Sequence, residues 1–213
     1  MPEITCYFSP QSGYAYLGHG RLRAIAREAG ASIVWRPVDI LTVFAEGGST
    51  PPAKQSPARN AYRKADATRW ARLRGLRFNT SPAFWPTDTI PACRLIAAAI
   101  LDGQDPAELI GGPLEAGWAG DIQISDPAHL GRTAAPAGSY GARLVTLSQA
   151  VAAAEAVNRN TAEAVAAGVF GSPSYIVAGE LYFGQDRLDF VAAHLAHLKE
   201  REGADGGALE GTA

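Results

Sequence analysis

Cysteine is scarce in this 213-residue chain. Cys6 and Cys93 lie far apart, which leaves no Cys-x-x-Cys pair and no zinc-ligand spacing, so thiol–disulfide chemistry by a paired site is excluded. The histidines His19, His129, His194 and His197 are equally scattered. His194 and His197 stand i,i+3 on a terminal helical pattern with no adjoining Cys, Asp or Glu cluster; they read as helix-surface residues, and no metal site is expected. Long apolar runs are missing too: Arg, Asp or Gly interrupts each stretch well short of the ~20 residues that cross a bilayer. The start, Met1-Pro2-Glu3-Ile4, carries no basic segment followed by an apolar one, and a cytoplasmic location without membrane contact is expected. Basic surplus is also absent, since 19 Lys+Arg stand against 21 Asp+Glu for a net charge of −2. That gives no global field for a nucleic-acid partner. With 47% hydrophobic and only 19% charged residues, the chain has enough apolar material to bury a real core.

Ile4 to Phe8 alternates as a strand, a Ser/Pro/Gln/Gly turn follows, and Tyr16, Leu17, Leu22, Ile25 and Ala26 recur at helical spacing over residues 14–29 before Gly30. Ser32 to Val38 reads as a second strand, and a strand–helix–strand unit of this length implies a parallel pair with a right-handed crossover. Residues 44–57, rich in Gly, Pro and Ser, read as a loop and a boundary. Beyond it the pattern is helical: residues 59–74, 92–101, 106–118 and 141–157. Strand signals return at Ser174 to Ala178 and Leu181 to Phe183, joined through Gly179-Glu180, and residues 189–201 read as a closing helix. The Gly/Ala-rich end, 202–213, has little to bury and is expected to be disordered. The order predicts an α/β fold: a thioredoxin-like domain from residues 1–50 and 160–213, carrying a large all-helical insertion over residues 51–159.

Three segments carry chemistry. At the strand-to-helix turn Ser9-Pro10-Gln11-Ser12-Gly13-Tyr14, free N–H groups and the helix dipole favour an anion, and a Ser hydroxyl there donates to a thiolate or simply caps the helix. Gly171-Ser172-Pro173 opens a strand, where a cis X-Pro bond would expose the Ser172 backbone to a ligand and a trans one would only start the strand. Gln185 and Asp186 follow a glycine turn, and Asp186 suits either a helix cap or a ligand ammonium.

Together these residues resemble the kappa-class glutathione transferase family and its bacterial relatives, the 2-hydroxychromene-2-carboxylate isomerases, over nearly the whole chain to about Leu198. Ser12-Gly13-Tyr14-Ala15-Tyr16-Leu17 fits the family's Ser-Pro-Tyr-[Ser/Ala]-[Tyr/Trp]-Leu. Pro57, Arg59, Tyr62, Asp66 and Arg69 fit its Pro-x-[Lys/Arg]-x-x-Tyr-x-x-x-Asp-x-x-Arg. Ala92-Cys93-Arg94, Gly168-Val169-Phe170-Gly171-x-Pro173 and Phe183-Gly184-x-Asp186-Arg187 supply three further matches. The departures are Gly13 for Pro, Ser9 for Asp, Ser49 near a frequent Asn, Arg59 for Lys and Asp88 for Asn. Ser9-Pro10 repeats the Ser-Pro pair three residues early, so Ser9 competes with Ser12, although the Tyr-Ala-Tyr-Leu frame favours Ser12.

The resemblance implies that glutathione is the cofactor and that Ser12 hydrogen-bonds its sulfur. The peptide would pair with the backbone at Ser172 before Pro173. Gln185 and Asp186 would hold the γ-glutamyl end, Arg59 the glycyl carboxylate, and Ser49 a neighbouring contact. It implies an isomerase acting on an aromatic enone acid by reversible thiolate addition, with Tyr62, Trp85 and the helical insertion forming the substrate pocket. Arg69 or Arg94 would meet the substrate carboxylate or serve as an ion-pair partner. A homodimer is implied as well. The alternatives are a kappa-class-like transferase or peroxidase, and a non-catalytic protein of thioredoxin fold that binds glutathione or a peptide.

Overall fold

The computed structural model describes residues 1–134 and 139–209, with side chains over residues 1–134 and 140–201. Four strands, β1 (Glu3–Phe8), β2 (Ser32–Pro37), β3 (Ser174–Val177) and β4 (Glu180–Phe183), form one sheet in the order β2-β1-β3-β4. β1 runs parallel to β2 and antiparallel to β3, which closes a hairpin with β4. Helix α1 (Gly13–Ala29) makes the parallel crossover, and Gly30, with φ of 66°, ends it in the left-handed conformation that suits glycine. Between β2 and β3 lie α2 (Ile40–Glu46), α3 (Pro57–Arg74), α4 (Ile90–Leu101), α5 (Ala107–Trp118), α6 (Pro127–Ala134), α7 (Ser139–Leu147) and α8 (Val151–Ala166); α9 (Leu188–Leu209) follows the hairpin. This is a thioredoxin-like α/β fold with a helical insertion.

Alternation along β1 serves two layers. Ile4, Cys6 and Phe8 pack against Leu17, Leu22 and Ile25 of α1 and Leu188, Val191 and Leu195 of α9. Tyr7 points into the opposite cluster with Val38, Val43, Ala164 and Val169. The insertion has its own core, in which Leu95, Ile124, Leu130 and Leu144 are buried.

Several expectations need correction. The segment read as loop from residue 44 begins inside α2, which Asp39 caps by accepting from the Leu41 N–H. α3 begins at Pro57, since proline is well placed at the first helical position behind the Ser56 cap. Residues 141–157 are not one helix: the backbone is extended at Ala150, and the Ser148 hydroxyl donates to the Val145 carbonyl at 2.7 Å, so α7 ends at Leu147. Such back-bonding competes with the helix ladder and leaves no Gly or Pro as a marker. α6 carried no expectation. The hairpin turn is Ala178-Gly179, with φ of 47° and 84°, one residue earlier than expected, because a two-residue turn of this hand needs positive φ at both positions. His194 is partly buried, and its Nδ1 lies 2.9 Å from the Tyr182 hydroxyl, so it is no plain surface residue. α9 continues through Leu209 rather than giving way to disorder at residue 202; residues 210–213 lie outside the described residues.

Candidate functional site

The β1–α1 turn closes with the Ser12 N–H on the Ser9 carbonyl at 2.9 Å. Ser12 caps α1: its Oγ accepts from the Ala15 N–H at 3.2 Å and donates to the Ser172 carbonyl at 2.7 Å. Ser9 is fully buried, with its Oγ 3.1 Å from Thr89 Oγ1 and its N–H donating to Ser172 Oγ. The hydroxyl beside the helix N-terminus therefore belongs to Ser12. Two tryptophans hold the turn from the insertion side. Trp118 Nε1–H donates to the Pro10 carbonyl at 3.1 Å and Trp85 Nε1–H to the Gln11 carbonyl at 3.3 Å. Gly13 has a steric reason: a Cβ there would sit 2.8 Å from Phe78 Cζ, and Phe78 stacks on Trp118 with centroids 5.2 Å apart.

Across from this turn, the Ser172–Pro173 bond is cis, as is Trp85–Pro86, for which no expectation stood. The Ser172 carbonyl is engaged by Ser12, while among the described residues nothing accepts from the Ser172 N–H. Gln185 is 1% exposed, its Cβ carbon pressed against Gly18 of α1, and both atoms of its amide are buried without a hydrogen-bond partner. A buried amide left unpaired is costly unless a ligand or water completes it. Asp186 is exposed and lies 3.5 Å from Arg187.

A cavity of about 450 Å³ opens between the start of α1, one face of α3 and the segment 78–85. This size suits a small organic ligand. Phe78, Trp85 and Trp118 make its aromatic wall, with Gly13 and Tyr14 on the α1 side. Its polar side comes from Asn60, Arg63, Lys64, Thr80 and Ser81, and among the described residues no Asp or Glu lines it. The Tyr14 hydroxyl donates to Asp66 Oδ2 at 2.9 Å; burial first, then this bond, pushes the phenol pKa up.

The residues expected from the sequence divide. Trp85 lines the cavity and Ser12 precedes its Gly13 wall. Tyr62 is 64% exposed on another face of α3, with Arg69 over its ring at 5.9 Å. Arg59 is exposed on the first turn of α3, and Ser49, whose N–H bonds the Phe44 carbonyl, follows α2. None of these, nor Arg94, lines the cavity. Sequence reasoning passed over Asn60, Arg63, Lys64 and Ala67, although i, i+3, i+4, i+7 is the spacing of one helix face. It also passed over Phe78 and Trp118. Neither thiol of the chain takes part, for Cys6 and Cys93 are sealed in the core, and burial raises both pKa values.

Comparison with known proteins agrees with this architecture. The chain is 28% identical over 194 residues to a 2-hydroxychromene-2-carboxylate isomerase from Sphingobium xenophagum, covering 90% of this chain and 97% of the relative. The solved structure of a 2-hydroxychromene-2-carboxylate isomerase superposes with a TM-score of 0.76 at 24% identity, covering 95% of this chain and 98% of that one. The cytosolic disulfide reductase DsbM from Pseudomonas aeruginosa, solved with GSH, shares the fold with a TM-score of 0.67 at 16% identity over 93% of this chain and 99% of that one. Residues 3–196 match the DSBA-like thioredoxin domain, and the chain belongs to that family.

Proposed function

We propose that the protein is a glutathione-dependent isomerase of the 2-hydroxychromene-2-carboxylate type, acting on an aromatic enone acid. The observation that carries this reading is the Ser12 hydroxyl at the α1 N-terminus, beside a cavity with aromatic walls and basic polar groups, in a chain whose own thiols are both buried. A helix N-terminus favours a thiolate over a thiol. Here the thiol must come from outside. The GSH-bound neighbour of the same fold supports the choice of glutathione, and the isomerase relative supports the choice of reaction.

The residues present fit that cofactor. Gln185 offers a buried amide with both ends free, Asp186 an exposed carboxylate for an ammonium, Ser172 an unpaired N–H next to Pro173, and Arg59 an exposed guanidinium for a carboxylate. Ser49 stands by as a minor contact. Bound glutathione would supply a thiolate that adds to a conjugated double bond and leaves unchanged once the bond has rotated. The Ser12 hydroxyl and the α1 N-terminus would lower the thiol pKa, each unit being worth ~1.4 kcal/mol. Trp85, Trp118 and Phe78 would hold the aromatic ring and keep water from the reacting carbons.

We place the reaction in the cytoplasm, where glutathione is kept reduced. We infer a homodimer from the family, and a light-scattering mass near 22.3 kDa would remove that part. The test of the reaction incubates protein, glutathione and an aromatic enone acid, follows substrate absorbance and titrates free thiol. Isomerisation with constant thiol is expected. Thiol lost in step with product moves the chain to the conjugating transferases, and glutathione binding without any turnover makes it a binding protein.

A further inference from the structure

The face of α3 that meets the cavity presents Asn60, Arg63, Lys64 and Ala67. Among the described residues no carboxylate oxygen lies within ion-pair distance of Arg63 or Lys64. Lys64 is exposed, and its Nζ donates to Ser81 Oγ at 2.8 Å. Arg63 is half-buried and, among the described residues, donates only to Asn60 Oδ1, at 3.4 Å. Asn60 is itself fixed, because its Nδ2 donates to the Gln55 carbonyl at 3.2 Å. The nearby carboxylate, Asp66, accepts from Tyr14. A planar, half-buried guanidinium held at one nitrogen, with no other hydrogen bond among the described residues, is built to receive a carboxylate in two-point fashion.

We infer that Arg63 is the carboxylate-reading residue of this cavity and makes it specific for aromatic acids over their neutral analogues, with Lys64 contributing only general positive charge at the rim. The assignment replaces Arg69 and Arg94, which lie outside the cavity. It names the anion contact of the site under Proposed function and rests on that reading for the identity of the reaction, though not for the binding.

The probes are benzylidenepyruvate, an aromatic enone acid, and its methyl ester. Binding is followed by calorimetry and by quenching of tryptophan fluorescence, without thiol and again with the unreactive S-methylglutathione. Wild type is expected to bind the acid about ten-fold or more tightly than the ester, the size of one charge-assisted contact. Arg63→Gln should abolish that preference while leaving ester affinity unchanged, Arg63→Lys should restore part of it, and Lys64→Gln should shift acid binding less than about three-fold. Circular dichroism confirms that each variant is folded, and Arg63→Lys keeps the question answerable if Arg63→Gln is not. Equal affinity of wild type for acid and ester, or a preference that survives in Arg63→Gln, overturns the assignment. Acid preference lost in Arg63→Gln without any isomerisation in wild type would fail the proposed reaction alone; isomerisation with unchanged KM in Arg63→Gln would fail this assignment alone.

Discussion

The hydroxyl of Ser12 donates to the carbonyl oxygen of Ser172 across 2.7 Å, tying the cap of α1 to the loop before β3. Under the proposed function, that proton would become available to the sulfur of glutathione once another donor, such as a peptide N–H, takes over the carbonyl. Ser12→Ala should therefore raise the pKa of bound glutathione thiol by about one unit or more, read as thiolate absorbance against pH, and lower kcat/KM by about ten-fold. It should also lose ~1 kcal/mol of stability with the cap. Ser9→Ala should destabilise through its contact with Thr89 but leave the thiol pKa alone. The reverse pattern would give the role to Ser9.

Gly13→Ala should destabilise by roughly 1–3 kcal/mol and weaken acid binding, because its methyl group would meet the Phe78 ring at 2.8 Å. Phe78→Leu in the same chain should recover part of the loss. Additive effects in denaturant unfolding would show that the two residues do not conflict.

His19 is partly buried, with Nε2 2.9 Å from the Ala107 carbonyl and its ring near Trp35. Burial first pushes its pKa down from 6.5 to about 4. The unfolded chain binds the proton more readily, so stability is full above pH 6.5, falls as pH drops toward about 4, and levels off below that. His19→Gln keeps a donor and removes the titration. Its denaturation midpoint should be flatter than that of wild type across this window, and an identical slope would exonerate His19.

Ala178 occupies φ of 47° in the β3–β4 turn, a conformation that asparagine or glycine enters more easily. Ala178→Asn should stabilise by ~0.5–1 kcal/mol and raise Tm by a few degrees without touching catalysis. A lower Tm would mean that the turn is held by something other than its backbone preference.

Much of the thioredoxin-like part was legible because its elements announce themselves locally. β1 alternates, α1 has a serine at one end and Gly30 at the other, and Ser172-Pro173 stands where a strand begins. The insertion was harder to read. Its helices are packed by small residues, such as Ala92, Ala98 and Ala153, which give weak periodicity, and the break before α8 rests on the Ser148 back-bond rather than on Gly or Pro. For the cavity, resemblance pointed to Tyr62 and Arg69, whereas the structure turns both to solvent and brings in Arg63, one residue further along α3 than Tyr62. A one-residue step rotates a side chain by about 100° around a helix, which a motif without its partner helices cannot orient. Phe78 and Trp118 reach the site from distant parts of the chain, so no local pattern joins them to Ser12.

The grip of Trp85 and Trp118 on the Gln11 and Pro10 carbonyls bears on how this pocket can evolve. Replacing either indole to admit a bulkier ring also removes a hydrogen bond from the turn that presents Ser12, so a gain in room arrives together with a looser hydroxyl. Phe78 and the α3 face carry no such bond to the turn. Under the proposed function, lineages or laboratory libraries that broaden the range of accepted acids while keeping the chemistry should therefore accumulate changes at Phe78, Asn60 and Ala67, and leave the two tryptophans in place.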